Sequence, residues 1–264
     1  MSLRIAFDCD GVVADLDSAL AEIVTRLFGE APPDEEPAAG PKTAAVADSA
    51  APAPDQLPPA APADASASNP AATTEAPGAD GPTEEEVQAA PARFRALSRR
   101  QQHDLWETVR NTENFWESLE ETEPGIIARL AQVARERGWE VVFITQRPSS
   151  AGDTTQLQTQ RWLVAHGFEL PSVYVIRGTR GKVAEALSLD VVVDDRPENC
   201  LDVKLESRAR AILVWNDDLA SLPPNAKRLG IEPVTSLGGC LDLLAEVPAP
   251  KPGFFSRIKQ LIGA

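Results

Sequence analysis

Acidic residues follow two separate apolar runs of the sequence, at the points where those runs end. Asp8 and Asp10 come after one run and precede Gly11, whose lack of a side chain permits a tight backbone path, and Asp194 and Asp195 end another. Four carboxylates in one place would repel one another unless a cation lay among them, and oxygen ligands suit Mg²⁺. A carboxylate held beside Mg²⁺ stays ionised and can attack phosphorus. These residue types therefore predict a magnesium-dependent phosphoryl-transfer site.

Polar and basic groups at two other places suit a bound phosphate. Thr145 ends a third apolar run, and Gln146 and Arg147 follow it. Arg147 could bind a substrate phosphate through two nitrogens, although pairing with surface carboxylates is an equal alternative. Lys182 follows Gly181 at the start of a predicted helix, where its ammonium group and the helix N-terminus both favour phosphate. Thr145, Gln146, Arg147 and Lys182 are the predicted phosphate-binding residues.

The elements that must position these residues are short strands alternating with amphipathic helices. Five nearly continuous apolar runs have the pattern of strands buried on both faces. They span residues 3–7, 141–144, 173–176, 191–193 and 211–215. Helical spacing between them predicts helices over 125–137, 155–166, 182–187 and 199–206. Alternation of this kind predicts a doubly wound parallel α/β sheet, in which ligands bind beyond the carboxyl ends of the strands.

A helical excursion interrupts this alternation between the first and second strands. Helical spacing predicts one helix over 16–28 and more helix over 94–119, which together would form a cap over the active end of the sheet. Phe115 and Trp116 lie in the second segment. As cap residues they could stack on a nucleobase, whereas aromatic residues at helical spacing more often belong to the core. The sequence leaves both interpretations open.

Charge is distributed very unevenly along the 264 residues. The formal net charge is −15, which excludes a nucleic-acid groove binder because such a protein needs Lys and Arg to neutralise phosphates. Positions 30–90 hold twelve acidic residues and one lysine, and so contribute −11 of that charge. The same stretch has about half of the prolines and no aromatic residue. A segment with so little surface to bury is expected to be disordered.

These patterns predict four parts of the chain. They are a catalytic core of residues 1–14 and 120–249, a helical cap of 15–29 and 84–119, a disordered insert of 30–83, and an amphipathic tail of 250–264. The tail has apolar residues on one helical face and basic residues elsewhere, so it could lie on a membrane, dock on a partner or pack on its own domain. Three cysteines without CxxC spacing, no recognisable signal peptide and no long apolar run predict a cytoplasmic protein.

Four motifs, in order, resemble those of the haloacid dehalogenase-like (HAD) phosphohydrolases. They are DCDGVV at residues 8–13, Thr145 after an apolar strand, Lys182, and the pair Asp194 and Asp195 after another strand. Within that superfamily the chain is most similar to the 5'-deoxyribonucleotidase and 5'-nucleotidase branch, over residues 114–199. Two features depart from the branch. Residues 146–148 are QRP where a small residue usually follows the threonine, and the acidic insert has no counterpart.

The resemblance implies a Rossmann-like HAD fold and a role for each matching residue. Asp8 would be the nucleophile that forms an aspartyl-phosphate. Asp10 would protonate the leaving oxygen and then activate water, as general acid–base chemistry requires. Thr145 and Lys182 would hold the phosphoryl oxygens.

The resemblance also implies a metal site and a class of substrate. Mg²⁺ would be bound by Asp8, the backbone carbonyl of Asp10, and one or both of Asp194 and Asp195. The predicted function is a phosphomonoesterase for a small phosphorylated metabolite, with nucleoside 5'-monophosphates as the candidate substrates. The alternatives are a HAD phosphatase for another small phosphate metabolite, and a scaffold recruited to a membrane or a partner through the tail and the insert.

Overall fold

The structure is a computed structural model that describes residues 2–29, 82–83, 86 and 89–246. Apart from its last two residues, the predicted insert of 30–83 lies outside the described residues, and so does the predicted tail of 250–264. The predicted domain boundaries therefore stay predictions.

A single parallel sheet forms the centre of the described structure. Its six strands are β1 (Arg4–Asp8), β2 (Glu140–Thr145), β3 (Ser172–Val175), β4 (Val191–Asp194), β5 (Arg210–Val214) and β6 (Glu232–Val234). They are arranged in the order β3-β2-β1-β4-β5-β6 and all pairs are parallel. This order is that of a Rossmann-like doubly wound sheet, so the predicted fold class is confirmed. The five predicted strands match within one residue, and β6 was not predicted.

Eight helices surround this sheet in the described part of the chain. They are α1 (Leu16–Phe28), α2 (Arg99–Asn111), α3 (Ile126–Arg137), α4 (Thr155–Ala165), α5 (Arg180–Ala186), α6 (Pro197–Glu206), α7 (Pro224–Arg228) and α8 (Leu237–Glu246). None of these helices has the length and apolar character that crossing a membrane requires. The sequence did not predict α7 and α8.

Helices cover both faces of the sheet because successive side chains of a strand point to opposite sides. Ile5 and Phe7 of β1 belong to a hydrophobic cluster with side chains of α1, α2, α3 and α8. Ala6 belongs to a second cluster with side chains of α5, α6 and α7. Burial on both faces explains why the strands are nearly continuous apolar runs.

The segment predicted as helix over 94–119 consists of three shorter pieces. They are a 3-10 helix over Ala92–Ala96, helix α2, and a 3-10 helix over Phe115–Glu117. Ser98 starts α2 through a capping box with Gln101. Asn114, in the left-handed region with φ 50°, precedes the second 3-10 helix. Because apolar residues of α1 and α2 share a cluster with the sheet, this excursion packs onto the same core as the strands.

The register of the strands brings Asp8 and Asp194 to the same edge of the sheet. Phe7 of β1 pairs with Val193 of β4, so that Asp8 and Asp194 each lie one position further on at the same edge of the sheet. On the other side, Asp8 pairs with Ile144 of β2, which places Thr145 at that edge too. The carboxyl ends of β1, β2 and β4 thus bring together Asp8, Thr145 and Asp194, three of the residues predicted to form the site.

Candidate active site

A tight loop after β1 carries Asp10 close to the end of the strand. The backbone N–H of Gly11 donates to the carbonyl of Ala14 at 2.9 Å, and that of Ala14 donates to the carbonyl of Cys9 at 2.8 Å. Gly11 has φ 78°, and a Cβ there would lie 2.2 Å from Oδ2 of Asp195. Glycine is required for both reasons, the positive φ and the close approach of a carboxylate.

Asp8, Asp194 and Asp195 form a cluster of three carboxylates. One carboxylate oxygen from each lies within 4.8 Å of the others. Burial raises the pKa of Asp8 and that of Asp195 well above their usual values, and the charge of Asp194 adds to both shifts. For Asp8, the nearby Arg180 opposes the shift. Negative charges this close repel one another, so the ionised form of each carboxylate is disfavoured. A bound metal ion would offset this repulsion.

The donor set of this cluster fits a hard divalent cation. All three side chains offer oxygen, the ligand that Mg²⁺ prefers. Oδ1 of Asp195 is buried and has no hydrogen-bond partner among the described residues. Both oxygens of Asp194, in contrast, accept from Asn199 at 2.9 and 3.1 Å, and Oδ1 also accepts from the backbone N–H of Arg196 at 3.0 Å. Asn199 was not predicted from the sequence as a site residue.

Arg180 lies between two of these carboxylates. Its Nη2 donates to Oδ1 of Asp8 at 2.5 Å, and its Nε donates to Oδ2 of Asp194 at 3.2 Å. The side chain is only 3% exposed, and its Nη1 has no partner among the described residues. Burial alone would lower the pKa of Arg180, but Asp8 and Asp194 outweigh it and raise that pKa above its usual value. Arg180 is therefore a permanent cation beside Asp8.

Lys182 is exposed and is not among the described residues that line the cleft over Asp8 and Asp10. Helix α5 begins at Arg180, with Thr179 as its N-cap. Arg180 and Ala184 are both buried because residues i and i+4 lie on the same helix face. Lys182 lies two positions on from Arg180, on a different face. The apolar residues at 183, 184 and 187 could have indicated Arg180 instead, because their helical spacing places position 180 on the buried face.

Arg147 lies behind Asp10 and is buried, which corrects its predicted contact with substrate phosphate. Its Nε lies 3.0 Å from both carboxylate oxygens of Asp10, and its Nη2 donates to Oδ1 at 2.8 Å. Nη1 donates to Oγ1 of Thr159 at 2.9 Å. All three guanidinium nitrogens are thus engaged inside the protein. Of the two alternatives in the sequence, pairing with a carboxylate is the one found, although the pair is not on the surface.

Thr145 and Gln146 both lie near the cleft. Thr145 is fully buried at the end of β2, and its Oγ1 donates to Oδ2 of Asp10 at 3.3 Å. Gln146 is half-buried and lines the cleft, while its Nε2 donates to the carbonyl of Gly178 at 3.2 Å.

Phe115 and Trp116 are core residues, so the structure favours the second of the two interpretations that the sequence left open. They are 4% and 0% exposed and contact each other edge to face, with ring centroids 5.0 Å apart. The indole N–H of Trp116 donates to the carbonyl of Pro148 at 3.0 Å. A nucleobase could stack on either ring only by displacing this packing.

A cleft of about 560 Å³ opens above Asp8 and Asp10. Residues before α2, among them Pro91 and Arg95, line one part of it, and Trp215, the residue after β5, lines another. Trp215 is half-buried, and its indole N–H donates to the carbonyl of Asp218 at 3.2 Å. Trp215 is the last residue of the apolar run predicted over 211–215, and nothing in the sequence indicated that it lines a cleft.

Comparison with known proteins gives matches among solved structures alone. No protein-family model and no curated protein matches the chain. The chain is similar to a proposed beta-phosphoglucomutase from Thermotoga maritima, at 17% identity and a TM-score of 0.45, over 93% of this chain and 99% of that one. It is also similar to a HAD hydrolase of family IA, variant 3, from Entamoeba histolytica HM-1:IMSS, at 11% identity and a TM-score of 0.41, over 92% of this chain and 99% of that one.

Proposed function

We propose that this chain is a Mg²⁺-dependent phosphomonoesterase of the HAD type that acts through an aspartyl-phosphate at Asp8. The observation that carries this proposal is the position of Asp8, which lies at the foot of an open cleft between a permanent cation, Arg180, and the carboxylate of Asp195. A carboxylate paired in this way is suited to attack a phosphoryl group, whose oxygens need positive charge around them.

The metal would be held by Asp8, Asp195 and the backbone carbonyl of Asp10. Of the two adjacent carboxylates, Asp195 is the better direct ligand because its Oδ1 has no partner among the described residues, whereas Asp194 already accepts from Arg180 and Asn199. When bound, Mg²⁺ would neutralise phosphoryl oxygens and help to orient the group for attack.

The chain's own residues would carry two chemical steps. In the first, a carboxylate oxygen of Asp8 attacks phosphorus, the bond to the leaving oxygen breaks, and Asp10 gives that oxygen a proton. In the second, Asp10 takes a proton from water as the water attacks the aspartyl-phosphate, which releases phosphate and restores Asp8. Arg180, with Nη1 unpartnered among the described residues, would donate to the phosphoryl oxygens. Thr145 has a single hydroxyl proton, which it donates to Oδ2 of Asp10, so it would donate to a phosphoryl oxygen only by turning away from that carboxylate.

The substrate would be a small phosphorylated metabolite with a planar group. Trp215 is the half-exposed aromatic residue of the cleft, and Asn216 beside it offers an amide. An indole face supports stacking of a flat ring, so nucleoside 5'-monophosphates are the proposed substrates. A phosphate ester without a ring is the competing substrate class.

The proposed location is the cytoplasm. Cys9, Cys200 and Cys240 are free and buried, as expected of a chain that folds in a reducing compartment. Fractionation of cells expressing a detectable form of the full chain tests this part of the proposal.

Phosphate release tests the proposed function. The purified chain should release phosphate from nucleoside 5'-monophosphates and p-nitrophenyl phosphate with Mg²⁺, and not after chelation. Asp8→Asn should be inactive, whereas Asp190→Asn should match the parent. Asp190 lies at the amino-terminal edge of the sheet, where its carboxylate accepts from the backbone N–H of Arg4, and asparagine can replace it there. Turnover by Asp8→Asn at the parent's rate, or no release from any ester with Mg²⁺, would refute the proposal.

A further inference from the structure

Arg147 is buried beside Trp116, Trp162 and Thr159. Its guanidinium carbon lies 4.9 Å from the ring centroid of Trp116 and 5.9 Å from that of Trp162, within the range of cation–π attraction. Nη1 donates to Oγ1 of Thr159, and that hydroxyl donates in turn to the carbonyl of Thr155 at 2.8 Å. The two rings and the threonine therefore fix the plane of the guanidinium group.

This fixed guanidinium group determines the orientation of the Asp10 carboxylate. Oδ1 of Asp10 accepts from Nε and Nη2 of Arg147, and Oδ2 accepts from Nε and from the hydroxyl of Thr145. A two-nitrogen contact of this kind fixes the carboxylate plane as well as its distance. The Arg147 side chain has no exposed surface, whereas the Asp10 side chain keeps 17% exposure on the cleft side. Asp10 can meet a substrate or water, and Arg147 cannot.

We infer that Arg147 is a positioning residue, which holds Asp10 in the orientation needed to take a proton from the water that hydrolyses the aspartyl-phosphate. The inference rests on the proposed function. In that step the water oxygen bonds to phosphorus, the bond from phosphorus to Asp8 breaks, and the proton goes to Asp10. A carboxylate free to rotate would present its oxygen to this water for only part of the time, so hydrolysis would slow.

Burst kinetics with p-nitrophenyl phosphate tests the inference. The p-nitrophenolate leaving group needs little help from a proton donor, so transfer of the phosphoryl group to Asp8 should stay fast in Arg147→Met. Hydrolysis of the intermediate should slow about 100-fold, the usual contribution of a general base. We expect one p-nitrophenolate per active site in a rapid burst, then slow turnover, with phosphorylated protein visible by intact mass. KM should not rise.

Three further variants make the outcome specific. Arg147→Lys keeps the charge but loses the two-nitrogen contact, so it should also show the burst. The double variant Arg147→Met with Asp10→Asn should turn over no more slowly than Asp10→Asn alone. Arg161→Met is the matched control, because Arg161 lies on the exposed side of α4 and pairs with Glu117 and Asp153. It should match the parent.

Each contrary outcome identifies a different failure. A raised KM without a burst would assign Arg147 to substrate binding and overturn the inference. Equal slowing of both steps, or loss of the tryptophan near-ultraviolet dichroism of Arg147→Met and Arg147→Lys together, would make its role purely structural and also overturn it. A parent without phosphatase activity would instead overturn the proposed function.

Discussion

Arg180 and Asp8 are 172 positions apart in the sequence and form a buried ion pair at 2.5 Å. The pair exists because β1 ends at Asp8 and α5 begins at Arg180, so that a strand end and a helix start meet at the same edge of the sheet. Nε of the same arginine reaches Asp194, which connects the end of β4 to the pair. One cation thus organises two of the four carboxylates.

Removal of the Arg180 cation should greatly reduce both turnover and stability. Arg180→Met should lower kcat/KM about 100-fold or more, since the variant loses positive charge at the phosphoryl oxygens. It should also lower stability by about 3–5 kcal/mol in the absence of Mg²⁺, because Asp8 and Asp194 are left buried without their partner. Steady-state kinetics and urea unfolding measure the two effects.

The matched control for this substitution is Lys182→Met on the same helix. Lys182 is exposed, so its loss should change kcat/KM by less than about twofold and stability by less than about 0.5 kcal/mol. If Lys182→Met were the inactive variant and Arg180→Met the active one, the geometric assignment of the phosphate-binding cation would be wrong.

Substitution of Asp194 and substitution of Asp195 should affect the dependence of activity on Mg²⁺ to different extents. Asp195→Asn removes the proposed direct ligand, so the Mg²⁺ concentration for half-maximal activity should rise more than about 100-fold. Asp194→Asn should raise it about 10-fold, the scale expected of a residue that orients others, and should lower kcat because Arg180 loses an acceptor. Calorimetric titration of Mg²⁺ into each variant gives the affinities directly. A larger loss of affinity in Asp194→Asn would reverse the assignment.

Substitution of Trp215 should change substrate binding, whereas substitution of Trp116 should change stability. Trp215→Ala should raise KM for nucleoside 5'-monophosphates about 5- to 150-fold, from the usual 1–3 kcal/mol of base stacking, and leave a small alkyl phosphate unaffected. Trp116→Ala should instead lower stability by about 3–5 kcal/mol, because it empties a core site, and should not discriminate between the two esters. A panel of substrates and thermal unfolding separate these effects. Selective loss of nucleotide turnover in Trp116→Ala would instead favour base stacking on Trp116.

The strands and the carboxylate cluster were predictable because they depend on local pattern plus one topological rule. Apolar runs buried on both faces predict parallel strands, and parallel strands place the residues after them at one edge. Asp8, Asp194 and Asp195 therefore come together as the sequence predicted. β6 carries no such pattern, since its sequence is Glu232-Pro233-Val234, and all three residues are only half-buried.

The side chains proposed to contact the substrate were harder to predict, because their positions depend on which side of a helix or turn faces the cleft. In α5, two positions separate the buried Arg180 from the exposed Lys182. The sequence favoured Lys182 because it follows Gly181 at the start of a predicted helix. At Phe115 and Trp116, the ring direction depends on Asn114, which separates α2 from the following 3-10 turn. A helical period fitted through the whole of 94–119 could not include that interruption.

Cys240 on α8 should make stability fall at high pH. Its side chain is fully buried, and burial raises the pKa of its thiol from 9.0 to about 12. In the unfolded chain the thiol ionises near its usual value, so above pH 9 the unfolded state loses a proton that the folded state keeps. Stability should then decrease by up to about 1.4 kcal/mol per pH unit for this one group.

Cys240→Ala lacks the thiol, so the difference in unfolding free energy between the parent and this variant should shrink from pH 8 to pH 11. Urea unfolding of both proteins at several pH values measures this difference, and other ionising groups cancel in the comparison. A difference that stays constant over that range would mean that the Cys240 thiol ionises equally in both states.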